Sequence, residues 1–349
     1  MKKLCSFRFV FSSLICAGAL GLVGSSLSAA PANDSTVSIS PAELPGRGLA
    51  EHPFLYAGEW DHRKPDQTMF IVRDGKVVWS YSIPIKTTDG VLQEWGDATL
   101  LSNGNILFSR KTGAGLVSPD KKLLWNFDAP AGTEIHVAQP IGLDRAFIVQ
   151  NGELPKLMVV DLHNGKIEKE FALPVANPAK SHGQFRSVRM TPTGTFLAAH
   201  MDWNKVAEYD DRGKEIWSLA VLSPWSALRL PNGNTLVSSN LGFVREYTHD
   251  GEVAWACTRE DAAKAGIQLF NCQGMQRLRN GNTLISNWCP NGLKDPKDWP
   301  ASVQFLEVTR DKQIVWALRS WSDPADLGPA TTIQILDEPG KAENGDLLR

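Results

Sequence analysis

Residues 223–258, SPWSALRLPNGNTLVSSNLGFVREYTHDGEVAWACT, decide the fold. They read as four short strands in a row. SALRL is an inner strand, Asn232-Gly233 turns the chain, NTLVSSN returns, GFVREY follows, and His249-Asp250-Gly251 leads into EVAWAC. An Asn-Gly pair between alternating apolar runs is a strong hairpin signal, since the turn needs residues that tolerate positive φ.

Working outward, the same unit recurs with drift. Outer strands that end near Trp lie at 74–79 (DGKVVW), up to Trp125 (PDKKLLW), at 211–217 (DRGKEIW), up to Trp255 (HDGEVAW) and up to Trp316 (RDKQIVW). HNGKIEK at 163–169 is the sixth, with Lys169 in the Trp slot. Inner hairpins turn at Asn103-Gly104, Asp144-Arg145, Thr193-Gly194, Asn232-Gly233 and Asn280-Gly281. The missing hairpin is split between the ends: TTIQILDEPG near residue 335 lacks a partner after it, and FLYAGEW at 54–60 lacks one before it. Joined, they complete a blade and close the ring, which removes the open sheet edges. A repeat of about 40–45 residues suits four-stranded blades. The expectation is a six-bladed β-propeller over residues 51–338, with NGLKDPKDWPAS (291–302) inserted in the last blade. The repeated Trp residues are expected to pack between blades.

The first thirty residues read as a signal peptide: Lys2, Lys3 and Arg8, an apolar run from Phe9 to Val23, then Ser28-Ala29-Ala30. A periplasmic or secreted protein is expected, without a membrane span. Residues 31–50 read as a disordered leader and 339–349 as a polar tail. A formal charge of −2 with both signs scattered argues against nucleic acid as a partner; a small-molecule or glycan ligand is expected, and a protein partner stays open. Of five cysteines, Cys257, Cys272 and Cys289 survive processing. Cys272 and Cys289 flank Asn280-Gly281 symmetrically, which in a two-residue hairpin brings them face to face as a disulfide candidate.

Superposing the repeats gives columns of residues that turn polar and mutually different at one end of every blade. The end of the second strand carries Glu59, Lys111, Asn151, His200, Asn240 and Trp288, flanked by Arg110 and Asn287 among others. The start of the inner strand carries Gly96, His136, Arg186, Trp225, Gln273 and Ala330, with Glu94, Glu134, Gln184 and Asn271 two residues before. Repetition does not explain such variety, whereas a ligand site in the central funnel does. His136 and His200 are candidate nucleophiles or bases, with His182 a third. Arg110, Lys111 and Arg186 suit an anion. Glu94, Asp97 and Glu134 suit acid–base work or a cation, and Trp95, Trp225 and Trp288 suit stacking on a sugar or an aromatic ring. The catalytic set is therefore His136, His200 and Arg186. Neither a phosphate-binding Gly loop nor a nucleophile elbow is present in the sequence.

The DGKVVW and DRGKEIW strands and the Pro231-Asn-Gly-Asn-Thr-Leu236 hairpin resemble the quinoprotein-like (PQQ-type) repeats of exported bacterial propellers. That resemblance implies architecture. Quinoprotein dehydrogenases carry eight blades and a vicinal Cys pair, which this chain lacks, so a quinone cofactor is not expected and the cofactor is unknown. His136, His200, Arg186 and Asn271 are similar in type to the funnel residues of bacterial arylsulfotransferases. This resemblance implies transfer of a sulfuryl group through a funnel His. Asn282–Trp288 and NWCPNGLKDPKDWP (287–300) resemble exported propellers that process polysaccharides.

Overall fold

A computed structural model describes residues 43–349. The expected signal peptide and most of the expected leader lie outside the described residues. Six four-stranded antiparallel sheets make the ring. Blade I joins Ala330–Ile335 to Phe54–Gly58, Asp66–Arg73 and Lys76–Pro84, so the C-terminal strand closes the ring as the sequence implies. The inner strands of blades II to VI are Trp95–Leu100, Glu134–Ile141, Phe185–Met190, Pro224–Arg229 and Asn271–Arg277. They line the axis and run in the same direction, so their first residues share one face of the ring and their last residues the other.

The hairpin turns explain the register. Asn103, Asn232 and Asn280 are absent from the positive-φ residues; only the following glycines adopt positive φ, with Gly104 at 87°, Gly233 at 85° and Gly281 at 90°. Each Asn Oδ1 instead accepts the N–H two residues on, at 3.0, 3.0 and 2.8 Å. This is a type I turn closed by a left-handed glycine, one residue longer than the tight turn expected from Asn-Gly.

The Trp residues act between blades. Trp79 donates its indole N–H to Pro119 of blade II, Trp217 to His249 of blade V, and Trp255 to Arg310 of blade VI, at 2.8–3.0 Å. Trp316 donates to Gly48 at 2.9 Å. Residues 43–50, part of the expected leader, therefore pack on blade VI, with Ala317 N–H bonded to Pro45 O at 3.0 Å.

The C-terminal residues also differ from a free polar tail. Arg349 is 6% exposed and donates to Thr99 Oγ1 and Ala98 O, each at 2.6 Å. Arg189 Nε donates to Arg349 O at 2.6 Å, and Arg277 N–H to Leu348 O at 2.8 Å. The segment is thus bonded to the last residues of the inner strands, beside a cavity of about 420 Å3. The 291–302 insertion folds back as well, placing Trp299 against Phe270 and Cys289. Among the described residues no helix is long and apolar enough to cross a membrane.

Candidate functional site

Every inner strand carries a β-bulge near its start. The pairing slips between Trp95 and Ala98, Ile135 and Val137, Phe185 and Ser187, Pro224 and Ser226, and Cys272 and Met275. In blade I it slips opposite Thr331. One extra residue in a strand re-aims its side chain. The residues so displaced include His136, Arg186, Trp225 and Gln273. Gly96 occupies the same place in blade II, where a Cβ would stand 2.3 Å from His136 O. The bulge, repeated around the ring, builds the floor of the funnel.

Arg186 is the centre of that floor. Its Nη2 donates to Glu59 Oε2 at 2.7 Å and its Nη1 to Glu94 Oε1 at 2.9 Å. Nη1 also lies 3.3 Å from His136 Nε2 and from both ring nitrogens of His182. The guanidinium sits 4.5 Å from the centre of the Trp225 ring, a cation–π contact. Gln273 Nε2 donates to Glu59 Oε1 at 3.0 Å. Glu134 Oε2 accepts from His136 Nε2 at 2.7 Å and from His182 Nδ1 at 3.0 Å, while Lys111 Nζ lies 3.4 Å from Glu134 Oε1.

Burial governs the protonation states. Glu59, Glu94, His136 and Arg186 are all at most 5% exposed. Burial pushes Glu59 up to about 8 despite Arg186. Burial also pushes Glu94 upward, but Arg186, His136 and His182 outweigh it and hold the carboxyl below its usual range. Glu134 is likewise held low by its two imidazole partners against burial. Burial, then Arg186, brings His136 down to about 4. One guanidinium cannot fully compensate two buried carboxylates; Glu94 keeps its charge and Glu59 holds a proton at neutral pH.

His182 is the exposed member. It lies on the short 3-10 turn Ser181–Gly183, its side chain 44% accessible, at the edge of a cleft of about 660 Å3. Trp60 stands beside it, ring centres 6.2 Å apart, and meets Trp288 edge to face at 6.5 Å. Trp60 adopts φ 66° and its indole N–H bonds to Glu94. Positive φ is strained for a bulky residue and is found where a site over-determines the backbone. Sequence reading did not single out Trp60, and it placed Glu59 in the same polar column as Lys111 without giving it a role.

Glu94, Lys111, Glu134, His136, His182, Arg186, Trp225 and Gln273 therefore meet, with Trp288 at the rim. The other expected residues do not. His200 is buried between strands of blade IV, its Nε2 2.8 Å from Tyr209 Oη, and burial brings it down to about 3. Asp97 turns to Arg189 at 2.7 Å, and Arg110 pairs outward with Asn126 and Asp128. Asn151 and Gln184 tie blade III to blade IV through Phe185 O and Gly152. Asn287 holds Phe270 N–H, and Asn240 Nδ2 meets Met201 Sδ. Asn271 pairs with Trp288 in the hairpin, and Trp95 packs on Phe108 in the core. Apart from Asp97, which pairs across the ring from blade II to blade IV, these residues make their contacts within their own blade or with a neighbouring one.

Cys272 and Cys289 are both free and buried. Cys272 pairs with Asn287, because the longer turn and the bulge each shift the register by one residue.

No family model matches the sequence, and no curated protein matches it. Among solved structures the chain is similar to a protein of unknown function from Bacteroides caccae, at 23% identity and TM-score 0.68, over 81% of this chain and 97% of that one. It is also similar to the β-propeller domain of Cps50 (Swd1) from Myceliophteria thermophila, at 14% identity and TM-score 0.50, over 81% and 88% of the two chains. These likenesses establish the propeller fold.

Proposed function

We propose that this chain is an exported propeller that binds a small polar ligand of the carbohydrate class at its funnel mouth and moves a proton on it with His182 and Glu134. One observation carries the reading. His182, half exposed beside a ligand-sized cleft, shares Glu134 with the buried His136, at 3.0 and 2.7 Å. A carboxylate that fixes an imidazole leaves the other ring nitrogen to take or give a proton. Trp60 and Trp288 supply apolar faces for a sugar ring, and buried Trp288 Nε1 and Gln273 Oε1 have no hydrogen-bond partner among the described residues. A thermal-shift panel of mono- and oligosaccharides tests this. A ligand at a hundred times its Kd stabilises by about 2.7 kcal/mol. A shift with at least one glycan is expected; silence across the panel contradicts the reading.

The resemblance to arylsulfotransferases supports a second reading, in which an imidazole receives a sulfuryl group as the phenol oxygen leaves and takes a proton. The accessible carrier is His182, with cationic Arg186 at 3.3 Å, and not the buried His136 or His200. Turnover of aryl sulfates that His182→Ala abolishes supports it; an inert wild type sinks it.

A further inference from the structure

The buried half of the funnel cluster contains a ring nitrogen without a hydrogen bond among the described residues, His136 Nδ1. His136 Nε2 lies 2.7 Å from Glu134 Oε2, a bond that turns the other ring nitrogen, Nδ1, toward Glu94. Nδ1 is buried and has no hydrogen-bond partner among the described residues, yet it lies 3.3 Å from Glu94 Oε1. A buried ring nitrogen and a carboxylate oxygen this close, with no hydrogen bond between them, are two donor atoms placed to share a cation.

We infer that Glu94, His136 and His182 hold a divalent first-row transition ion at the floor of the funnel.

Three points of chemistry support this. Two ligand atoms each about 2.0–2.1 Å from an ion at a near-tetrahedral angle lie about 3.3 Å apart, the separation of His136 Nδ1 and Glu94 Oε1. Glu94, His136 and His182 present ligand atoms that all lie within 4.8 Å of one another. Closing the third corner needs a short inward movement of His182, from an exposed turn. Glu134 then takes the role of outer partner: it accepts from both imidazoles, as carboxylates do behind metal-bound histidines, fixing their tautomers and raising their basicity. Two imidazoles and one carboxylate suit zinc, iron or manganese better than calcium or magnesium, which prefer all-oxygen shells.

Arg186 sets the cost. Its Nη1 must give way at Glu94 as the ion enters, while Nη2 stays on Glu59 and the Trp225 ring holds the guanidinium. The inference deepens the funnel reading and rests on it for where a ligand would meet the ion; it changes one role, making His182 a ligand when the ion is bound.

The test is a Co2+ titration of the full chain, freed of metal by chelator, followed by visible absorption and by competition with Zn2+. One equivalent with ligand-field bands is expected. His182→Ala and Glu94→Gln should each weaken Zn2+ binding at least tenfold. His182→Ala removes a half-exposed side chain, so its far-UV spectrum should match wild type and keep the test valid if Glu94→Gln fails to fold. Absence of a stoichiometric band, or unchanged affinity in His182→Ala, overturns the ion site. The glycan panel run on the metal-free chain separates the two claims: glycan binding without Co2+ binding removes the ion and leaves the funnel reading, and Co2+ binding with no glycan shift in either form does the reverse.

Discussion

Arg186 Nη2 lies 2.7 Å from Glu59 Oε2, a bond that crosses the axis from blade IV to blade I, on opposite sides of the ring. Both side chains are 2% exposed. Arg186 also holds Glu94, the carboxylate that keeps its charge, and removing the guanidinium leaves that buried charge uncompensated, at a cost of about 3–5 kcal/mol. Arg186→Met should lower the denaturation free energy by that order; a loss below about 1 kcal/mol would show that the bridge carries little of the fold.

The two carboxylates on Arg186 should behave differently. Glu59, pushed up to about 8, already holds a proton at pH 6, so Glu59→Gln imitates its resting state, while Glu94→Gln removes a charge that Arg186 needs. In urea denaturation at pH 6 the Glu59 variant should stay near wild type and the Glu94 variant should not. Equal losses would contradict the assignment.

Glu59 also fixes a sign with pH. A raised carboxyl makes the folded state hold a proton that the unfolded chain releases from about pH 4.5. Stability from this group is full below 4.5 and is lost as pH rises toward 8. His136 and His200, brought down to about 4 and about 3 from 6.5, act in the other direction: their contribution is full above 6.5 and is lost as pH falls through those values. Wild type should therefore lose stability relative to Glu59→Gln between pH 5 and 8. A difference that does not vary with pH would refute the proton on Glu59.

His200 tests the corrected site. His200→Ala leaves Tyr209 Oη without its buried partner, at a cost of about 1–3 kcal/mol. Ligand binding at the funnel should be unchanged by it. A selective loss of binding with full stability would return His200 to the site.

The repeat was legible because turn chemistry and the Trp slot recur at a fixed spacing, and each has a local cause. Ring closure followed from two unpaired strands, FLYAGEW and TTIQIL. The site was half legible. Columns of varied polar residues marked the face on which Arg186 and His136 cluster with Glu59, Glu94 and Glu134, and both stood in them. The bulges left no mark in strands this short, because one extra residue in a run of six to eight does not disturb a two-residue period visibly. His200 and Arg110 were assigned to the axis, whereas His200 meets Tyr209, and Arg110 meets Asn126 and Asp128, within their own blades. The turns hid a similar shift: Asn280 keeps negative φ, which adds a residue to the loop and separates Cys272 from Cys289. Trp60 could not be found by repeat logic, since its role comes from a strained backbone and a contact with Glu94, 34 residues away.

The most direct measurement is a calorimetric titration of the glycan giving the largest thermal shift into wild type, His182→Ala and Trp288→Ala. The account predicts a loss of at least tenfold in affinity for both variants, about 1.4 kcal/mol each. Unchanged affinity in both would place the ligand away from the funnel mouth and contradict the central claim.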